Sequence, residues 1–357
     1  MKKIEDIRKK IDEIDEEILK LLNLRAEEVK KIFEIKREEN KPLFDPSREK
    51  RIIEKLIAKN KGLFLKPEDI KIIMETIFKV YRGMFRKIVV AYLGPEGTFT
   101  HQAALSKFGE KAKYIPVKTI DEVFKEVEKQ RADYGVVPIE NSIEGVVTHT
   151  LDVFLESELK ITSEILLEIH QFLLSREKSI KNVKKVYSHP QAIAQCRNWI
   201  SENLPDVEIY ETESTASAVK KAIREKNSSA IASEIAASIY NLNILAQKIE
   251  DFRENFTRFL VVGNEFSEKT GVDKTSILFS IKDRVGALHD ILVPFKKEKI
   301  NLTRIESRPS KKKAWEYVFF VDFIGHKDDE NVKRALKEVE KSTAFLKILG
   351  SYPKERR

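Results

Sequence analysis

Two short polar runs carry side chains whose types and spacing could do chemistry. Glu140, Asn141 and Ser142 follow the apolar run Tyr134-Gly135-Val136-Val137, and Asn255, Thr257 and Arg258 surround the start of a second, Phe259-Leu260-Val261-Val262. Amide, hydroxyl and guanidinium groups all donate hydrogen bonds, and the arginine adds positive charge, so together they suit a small anionic ligand. The run 134–137 reads as a buried strand that Pro138-Ile139 brings to its end. Glu140, Asn141 and Ser142 then stand at its carboxyl end, where an open α/β sheet keeps its ligand crevice.

The elements that must position these groups alternate between apolar strands and helical stretches over residues 88–265, an α/β pattern. Ile88–Leu93 is a strand, and Gly94-Pro95-Glu96-Gly97-Thr98-Phe99-Thr100 leads into a helix from about residue 101. Ser188-His189-Pro190-Gln191 starts a helix after the strand Val183–Tyr187, and Ser214-Thr215-Ala216-Ser217 caps another after Ile209-Tyr210. Taken singly, each is an ordinary N-cap. Helix N-termini also carry free N–H groups and partial positive charge, which suit carboxylates. The chain must leave one half of this region near 165 and return near 250, which predicts two lobes hinged about a crevice.

The Pro-Ile-Glu-Asn-Ser and Thr-Arg-Phe runs resemble the two hallmark segments of the prephenate dehydratases. The resemblance implicates Asn141, Ser188, Gln195, Glu213 and Thr257 in substrate contact, with Arg258 and Phe259 completing the second segment. It also makes Thr257 the group that helps the ring hydroxyl of prephenate leave as CO2 is lost. A threonine hydroxyl is a poor free acid, so hydrogen bonding or a proton relay is expected more than outright donation. Arg258 reads equally well as a carboxylate clamp or as a structural salt-bridge partner.

Residues 1–87 have a different pattern. Ile4, Ile7, Ile11, Ile14, Ile18 and Leu21 alternate steps of three and four, and Val29, Ile32 and Ile35 continue the seam. A helix over 4–39 would be about 54 Å long. Asp45-Pro46 reads as the N-cap and first residue of a second helix over 46–60, and Pro67 opens a third. Two short helices cannot cover so long a rod, so a second copy of the chain is expected to supply the rest as an intertwined dimer.

Cations interrupt the seam. Arg25 and Lys36 are only about 20° apart around the helix and roughly 16 Å apart along it, a spacing fit to grip a small dicarboxylate. Arg8 lies about 100° away from Arg25, which assigns it to another site, the partner protomer's. These residues, with Asp45, Arg48 and Glu49 at the second helix start, resemble the all-helical chorismate mutases. The resemblance implies arginines on the substrate's carboxylates, Lys36 on its ether oxygen and Glu49 on its ring hydroxyl, with purely electrostatic and conformational catalysis. The family pattern puts a Ser and a Gln or Glu where this chain has Tyr81 and Phe85. Either the mutase tolerates the change, or the helical domain only dimerises and the aromatics extend an apolar stripe.

After a linker at 264–273, the order strand (275–281), helix (285–297), strands (301–307 and 314–324), helix (331–341) and final strand (345–349) is the split βαβ, ferredoxin-like layout. Gly286-Ala287-Leu288 and Glu306-Ser307-Arg308-Pro309 resemble the amino-acid-binding ACT domain of dehydratases. That implies an L-phenylalanine site between paired domains, with Gly286 letting the ligand approach the backbone at a helix start. Trp315 reads as core packing.

The whole-chain properties agree with this reading. In 357 residues, charged ones make up 35% and apolar ones 41%, a globular balance with room for two or three cores. No run approaches the ~20 apolar residues of a membrane span, and the amphipathic start at Lys2 lacks a secretory segment. One cysteine, Cys196, read as a small helix residue, makes a reducing cytoplasm the expected compartment. The net charge is +8; residues 1–86 hold 23 Lys+Arg against 18 Asp+Glu, a net +5. With both signs interspersed, this suits a dianionic metabolite and not a nucleic acid. His101, His149, His170 and His189 lack ligand spacing, so no metal or cofactor is expected. The expectation is a multidomain α + α/β + α/β enzyme with a helical domain (1–87), a two-lobed α/β domain (88–265) and an ACT domain (274–352). It would turn chorismate into prephenate and then phenylpyruvate under phenylalanine inhibition. Its rivals are a monofunctional dehydratase and a phenylalanine-sensing regulatory protein without turnover.

Overall fold

The computed structural model describes residues 2–39, 45–85, 87–252, 254–281, 284–309 and 317–355. Trp315 lies outside these, as does the side chain of Phe85.

The seam of isoleucines forms α1 (Lys2–Glu38), followed by α2 (Pro46–Lys59) and α3 (Pro67–Phe85). Asp45 caps α2 by accepting the Arg48 N–H at 2.8 Å, with Pro46 as the first helical residue, where its missing N–H costs nothing. The α2–α3 pair covers only part of the rod. Ile4 stays 59% exposed and Ile18 49%, so among the described residues the N-terminal half of the apolar stripe of α1 is left uncovered.

The first lobe is built from β1 (Val89–Leu93), α4 (Phe99–Phe108), β2 (Lys113–Val117), α5 (Ile120–Glu128), β3 (Tyr134–Asn141), β4 (Gly145–Val146), α6 (Thr148–Phe154) and β5 (Lys160–Glu168). The chain then crosses into the second lobe: β6 (Phe172–Ser175), β7 (Lys185–Ser188), α7 (Pro190–Gln195), α8 (Arg197–Asn203), β8 (Glu208–Glu211), α9 (Thr215–Ala222), β9 (Ser228–Ala232), α10 (Glu234–Tyr240) and β10 (Asn243–Ala246). It returns as β11 (Phe256–Gly263), which enters the first sheet between β3 and β5, giving the order β2-β1-β3-β11-β5. The second sheet has the order β10-β6-β9-β7-β8. Two sheets joined by two crossing segments are the expected lobes.

β3 does not end at Pro138. It continues through Asn141, and Phe259 faces Pro138 while Arg258 faces Glu140, so Ile139 is the extra residue of a bulge. A bulge lets a residue without an N–H sit inside a paired strand, and periodicity alone does not show one.

The C-terminal elements are β12 (Asp273–Ile281), α11 (Ala287–Lys297), β13 (Leu302–Pro309), β14 (Tyr317–Ile324), α12 (Glu330–Ser342) and β15 (Thr343–Pro353), in the sheet order β13-β14-β12-β15. β15 runs four residues past the expected Leu349. One face of this sheet buries Ile277, Phe279, Val321 and Phe323 beneath α11 and α12. The other face sends Leu278, Phe320, Leu349 and Tyr352 into the same core as Ile161, Leu159 and Val262 of the first lobe. At Gly350 the approach is so close that a Cβ would stand 2.2 Å from the Ile161 carbonyl oxygen.

Candidate functional site

The register that joins β3 to β11 puts Asn141 directly opposite Thr257, both half-exposed. Asn141 Oδ1 accepts the N–H groups of Ile143 and Glu144 at 2.9 and 3.0 Å, which fixes the amide the other way round. Its Nδ2 therefore donates to Thr257 Oγ1 at 2.8 Å and to Asn255 Oδ1 at 2.7 Å. Because Thr257 Oγ1 accepts from Asn141, its own proton is left to donate to whatever stands above it. That arrangement aims a hydroxyl proton into the site and holds it from behind.

The polar chain continues into the second lobe. Asn255 Nδ2 donates to Gln195 Oε1 at 3.2 Å, and Gln171 Nε2 donates to the same oxygen at 3.1 Å. Gln195 closes α7, and Gln171 lies on the crossing segment, pinned by its N–H to Glu250 Oε2 at 2.8 Å. Glu250 also meets His170 Nδ1 at 2.7 Å. Sequence reasoning named Asn255 as part of a run but did not select it, and missed Gln171. Both are fully buried amides, a burial whose only legible sign was polar residues beside apolar strands.

The remaining expected residues divide. Ser188 is buried at the end of β7, and its hydroxyl donates to the Ile231 carbonyl at 2.7 Å. Glu213 is exposed just before Ser214, whose hydroxyl caps α9. Phe259 belongs to the first-lobe core. Of the two readings of Arg258, its contacts favour the structural salt-bridge partner over the carboxylate clamp. Successive strand residues point to opposite faces, so with Thr257 at the site, Arg258 points behind it. Its Nε meets Glu164 Oε2 at 2.7 Å, its Nη1 Asp322 Oδ2 at 2.6 Å and its Nη2 the Tyr352 hydroxyl at 2.9 Å. Burial opposes its charge, but Asp322, Tyr352 and Glu164 outweigh that and push its pKa well up. Burial likewise acts to raise the Asp322 pKa, yet Arg258, Ser276 and Lys274 hold it below the usual carboxylate value.

The helical domain carries a separate cleft of about 560 Å³. Arg25, Lys36, Asp45, Arg48 and Glu49 all line it, with Tyr81 and Phe78 on its wall. Arg8 lies outside it, exposed on the free stretch of α1. The Arg25 guanidinium lies 4.9 Å from the Tyr81 ring centre and 5.3 Å from that of Phe78, while its Nη1 has no hydrogen-bond acceptor among the described residues. Aromatic faces partly offset the buried charge, and the unpartnered donor is ready for a ligand oxygen. Tyr81 is fixed by its hydroxyl, which donates to the Leu22 carbonyl at 2.6 Å. The tyrosine found where the mutase pattern has a serine thus holds Arg25 from below.

In the C-terminal domain Gly286 precedes α11 at φ +77°, a conformation that favours glycine. Ala287 is buried and Leu288 half-buried. Along β13, Glu306 and Arg308 face inward, and Ser307 and Pro309 outward. Arg308 Nη2 lies 3.3 Å from the Asp152 carboxylate on α6.

Comparison with known proteins divides the chain the same way. The chorismate mutase type II profile matches residues 7–84, prephenate dehydratase 90–267 and the ACT domain 275–341. Over 357 residues the chain is 55% identical to a bifunctional chorismate mutase/prephenate dehydratase of Aquifex aeolicus, covering 99% of each. A prephenate dehydratase of Methanocaldococcus jannaschii is 42% identical over 74% of this chain and 97% of its own. The solved prephenate dehydratase of Arthrobacter aurescens in complex with L-Phe superposes with a TM-score of 0.69 at 34% identity, over 75% of this chain and 90% of that one.

Proposed function

The chain belongs to the bifunctional chorismate mutase/prephenate dehydratase family, and from that premise we propose that it converts chorismate to prephenate and prephenate to phenylpyruvate, with L-phenylalanine as feedback inhibitor. The observation that carries the dehydratase reading is the orientation of Thr257. Its oxygen accepts from Asn141, and its proton is thereby offered to the departing ring hydroxyl. That hydroxyl leaves as hydroxide held by this hydrogen bond and takes its proton from solvent to become water. The ring carboxylate leaves as CO2, and the electron pair of the broken C–C bond closes the aromatic ring as the C–O bond breaks. The threonine stabilises charge as it develops on oxygen, and Asn141, Asn255 and Gln195 keep it aimed. Ser188 and Glu213 would complete the substrate contacts from the second lobe. The lobes are proposed to close over prephenate and exclude water.

For the mutase step, Arg25 and Arg48 take the carboxylates of chorismate, Lys36 the ether oxygen and Glu49 the ring hydroxyl. Asp45 holds the start of α2. The protein makes no bond to the substrate; it compresses it into the reactive conformer and stabilises the charge that separates. Arg8 would reach the partner's cleft in a dimer built on α1, a reading supported by that helix's bare apolar stripe. L-Phenylalanine would bind between paired C-terminal domains at Gly286–Leu288 and Glu306–Pro309. The compartment is the cytoplasm, which a single buried cysteine suits.

The test is turnover of chorismate by the purified chain, following chorismate loss and phenylpyruvate gain with and without phenylalanine. Phenylpyruvate from chorismate alone, suppressed by phenylalanine, is the expected result. Conversion of added prephenate only would reduce the helical domain to a dimeriser.

A further inference from the structure

The residues one step behind Asn141 and Thr257 in the two strands are Glu140 and Arg258, and the register pairs these as well. Immediately beyond them the β3–β11 ladder is broken by the bulge at Ile139. Although β11 keeps its pairing with β5 and the end of β3 its pairing with β4, side chains add to what sets the spacing between β3 and β11 there. Those side chains are held by the C-terminal sheet. Arg258 is bonded to Asp322 of β14 and Tyr352 of β15. Glu140 Oε2 lies 2.9 Å from Arg304 Nη1 of β13 and 3.9 Å from Arg258 Nη1. Lys274 of β12 joins from below, with its Nζ 2.8 and 3.0 Å from the Glu164 carboxylate oxygens. Ser276 donates to Asp322 Oδ1 at 2.5 Å. Arg258, Glu164 and Asp322 side chains are 7%, 4% and 0% exposed. Buried charges like these add little net stability but tolerate few geometries. The Arg304 contact differs in kind. Among the described residues neither of its terminal nitrogens makes an aligned hydrogen bond, so charge holds the Glu140 carboxylate to Arg304, and a small displacement of β13 would move that carboxylate.

We propose that Glu140 and Arg258 are positioning residues of the dehydratase step, and that Arg304 and Asp322 make the C-terminal sheet part of what sets the distance between Asn141 and Thr257. This rests on the dehydratase reading of Asn141 and Thr257. It implies that the C-terminal domain acts on the maximal rate more than on prephenate affinity.

The experiment uses the full chain and compares Arg304→Met, Glu140→Gln, their double variant, Arg304→Lys and Thr257→Val. Prephenate kinetics are read, and chorismate mutase activity in the same preparation reports folding. Each single variant is expected to lower kcat about tenfold with KM within about twofold, since small misplacements cost rate more than binding. The double variant should fall no further than the worse single one, because both remove one interaction. Arg304→Lys should recover most of the rate, with mutase activity unchanged throughout. Unaltered kcat in both single variants, or losses that multiply in the double, would overturn the proposal. Should Arg304→Met lose both activities and so not fold, Glu140→Gln decides alone by the same criterion. Full dehydratase activity in Thr257→Val would instead defeat the reading of the site itself.

Discussion

Replacing Thr257 by valine removes one hydroxyl and little else. Valine keeps the branched shape, and the β11 backbone keeps its pairing with Asn141 and Leu167. The fold loses one hydrogen bond in a half-exposed place, worth about 1 kcal/mol, because Asn141 Nδ2 retains Asn255 Oδ1 at 2.7 Å. The reaction loses the donor that meets charge on the departing oxygen, which costs about 10²–10³ in kcat, or roughly 2.7–4 kcal/mol. Stability and rate therefore separate clearly. The assay is phenylpyruvate formation from prephenate, with chorismate consumption by the same sample as the measure of folded protein. Thr257→Ser, which restores the donor, should retain most of the rate. A Thr257→Val enzyme within about threefold of the parent kcat, far short of the loss of a charge-stabilising donor, would refute the argument. So would equal loss of both activities, since the mutase cleft contains no part of β11.

Arg25→Ala should abolish mutase turnover while leaving prephenate conversion at the parent rate, as measured on the two substrates separately. Glutamate at both Ile11 and Ile18 should dissociate the proposed dimer on α1, seen as a halved mass in sedimentation, and take the mutase activity with it while the dehydratase persists. The buried charge cluster predicts an acid limit. The Asp322 pKa is depressed in the folded chain, so the stability it contributes is complete above the unfolded carboxylate value, about pH 4. That stability drains away as pH falls further towards the folded value. Equilibrium unfolding followed by circular dichroism should show this slope, and Asp322→Asn, destabilised by about 3 kcal/mol because it removes one of the two buried carboxylates that offset Arg258, should flatten it.

The sequence made the element order legible because capping residues and apolar periods are local. Asp45-Pro46, Thr98, Ser214 and Gly286 each sit where a helix begins. It also held the key to Arg258: strand alternation alone puts Thr257 and Arg258 on opposite faces, so a threonine at the site excludes its neighbour. What it could not reveal was what lies behind. Asp322 and Tyr352 are 64 and 94 residues away along the chain, and nothing local marks them as partners. The ends of β3 and β15 were misjudged for a related reason. Pro138 is admitted by the bulge at Ile139 in its own strand, and Gly350-Ser351-Tyr352-Pro353 is extended because β12 and the first lobe receive it, not because its own residues favour a strand. Gln171, and the link Asn255 makes to Gln195, were hidden because an amide chain is visible only once two lobes have brought its members together.

The close seating of Gly350 on Ile161 has a practical side. Anyone wishing to overproduce phenylalanine will look for a version of this enzyme deaf to its product, and the simplest edit is an early stop codon that discards the sensor. Here that edit removes one wall of a core. Ile161, Leu159 and Val262 would be left facing water, and Arg258 would lose Asp322 and Tyr352 together. The shortened gene product is thus expected to aggregate before it can be tested for deafness. Release from feedback has to be sought by single substitutions on the sensor's outer surface, with its inner face left intact.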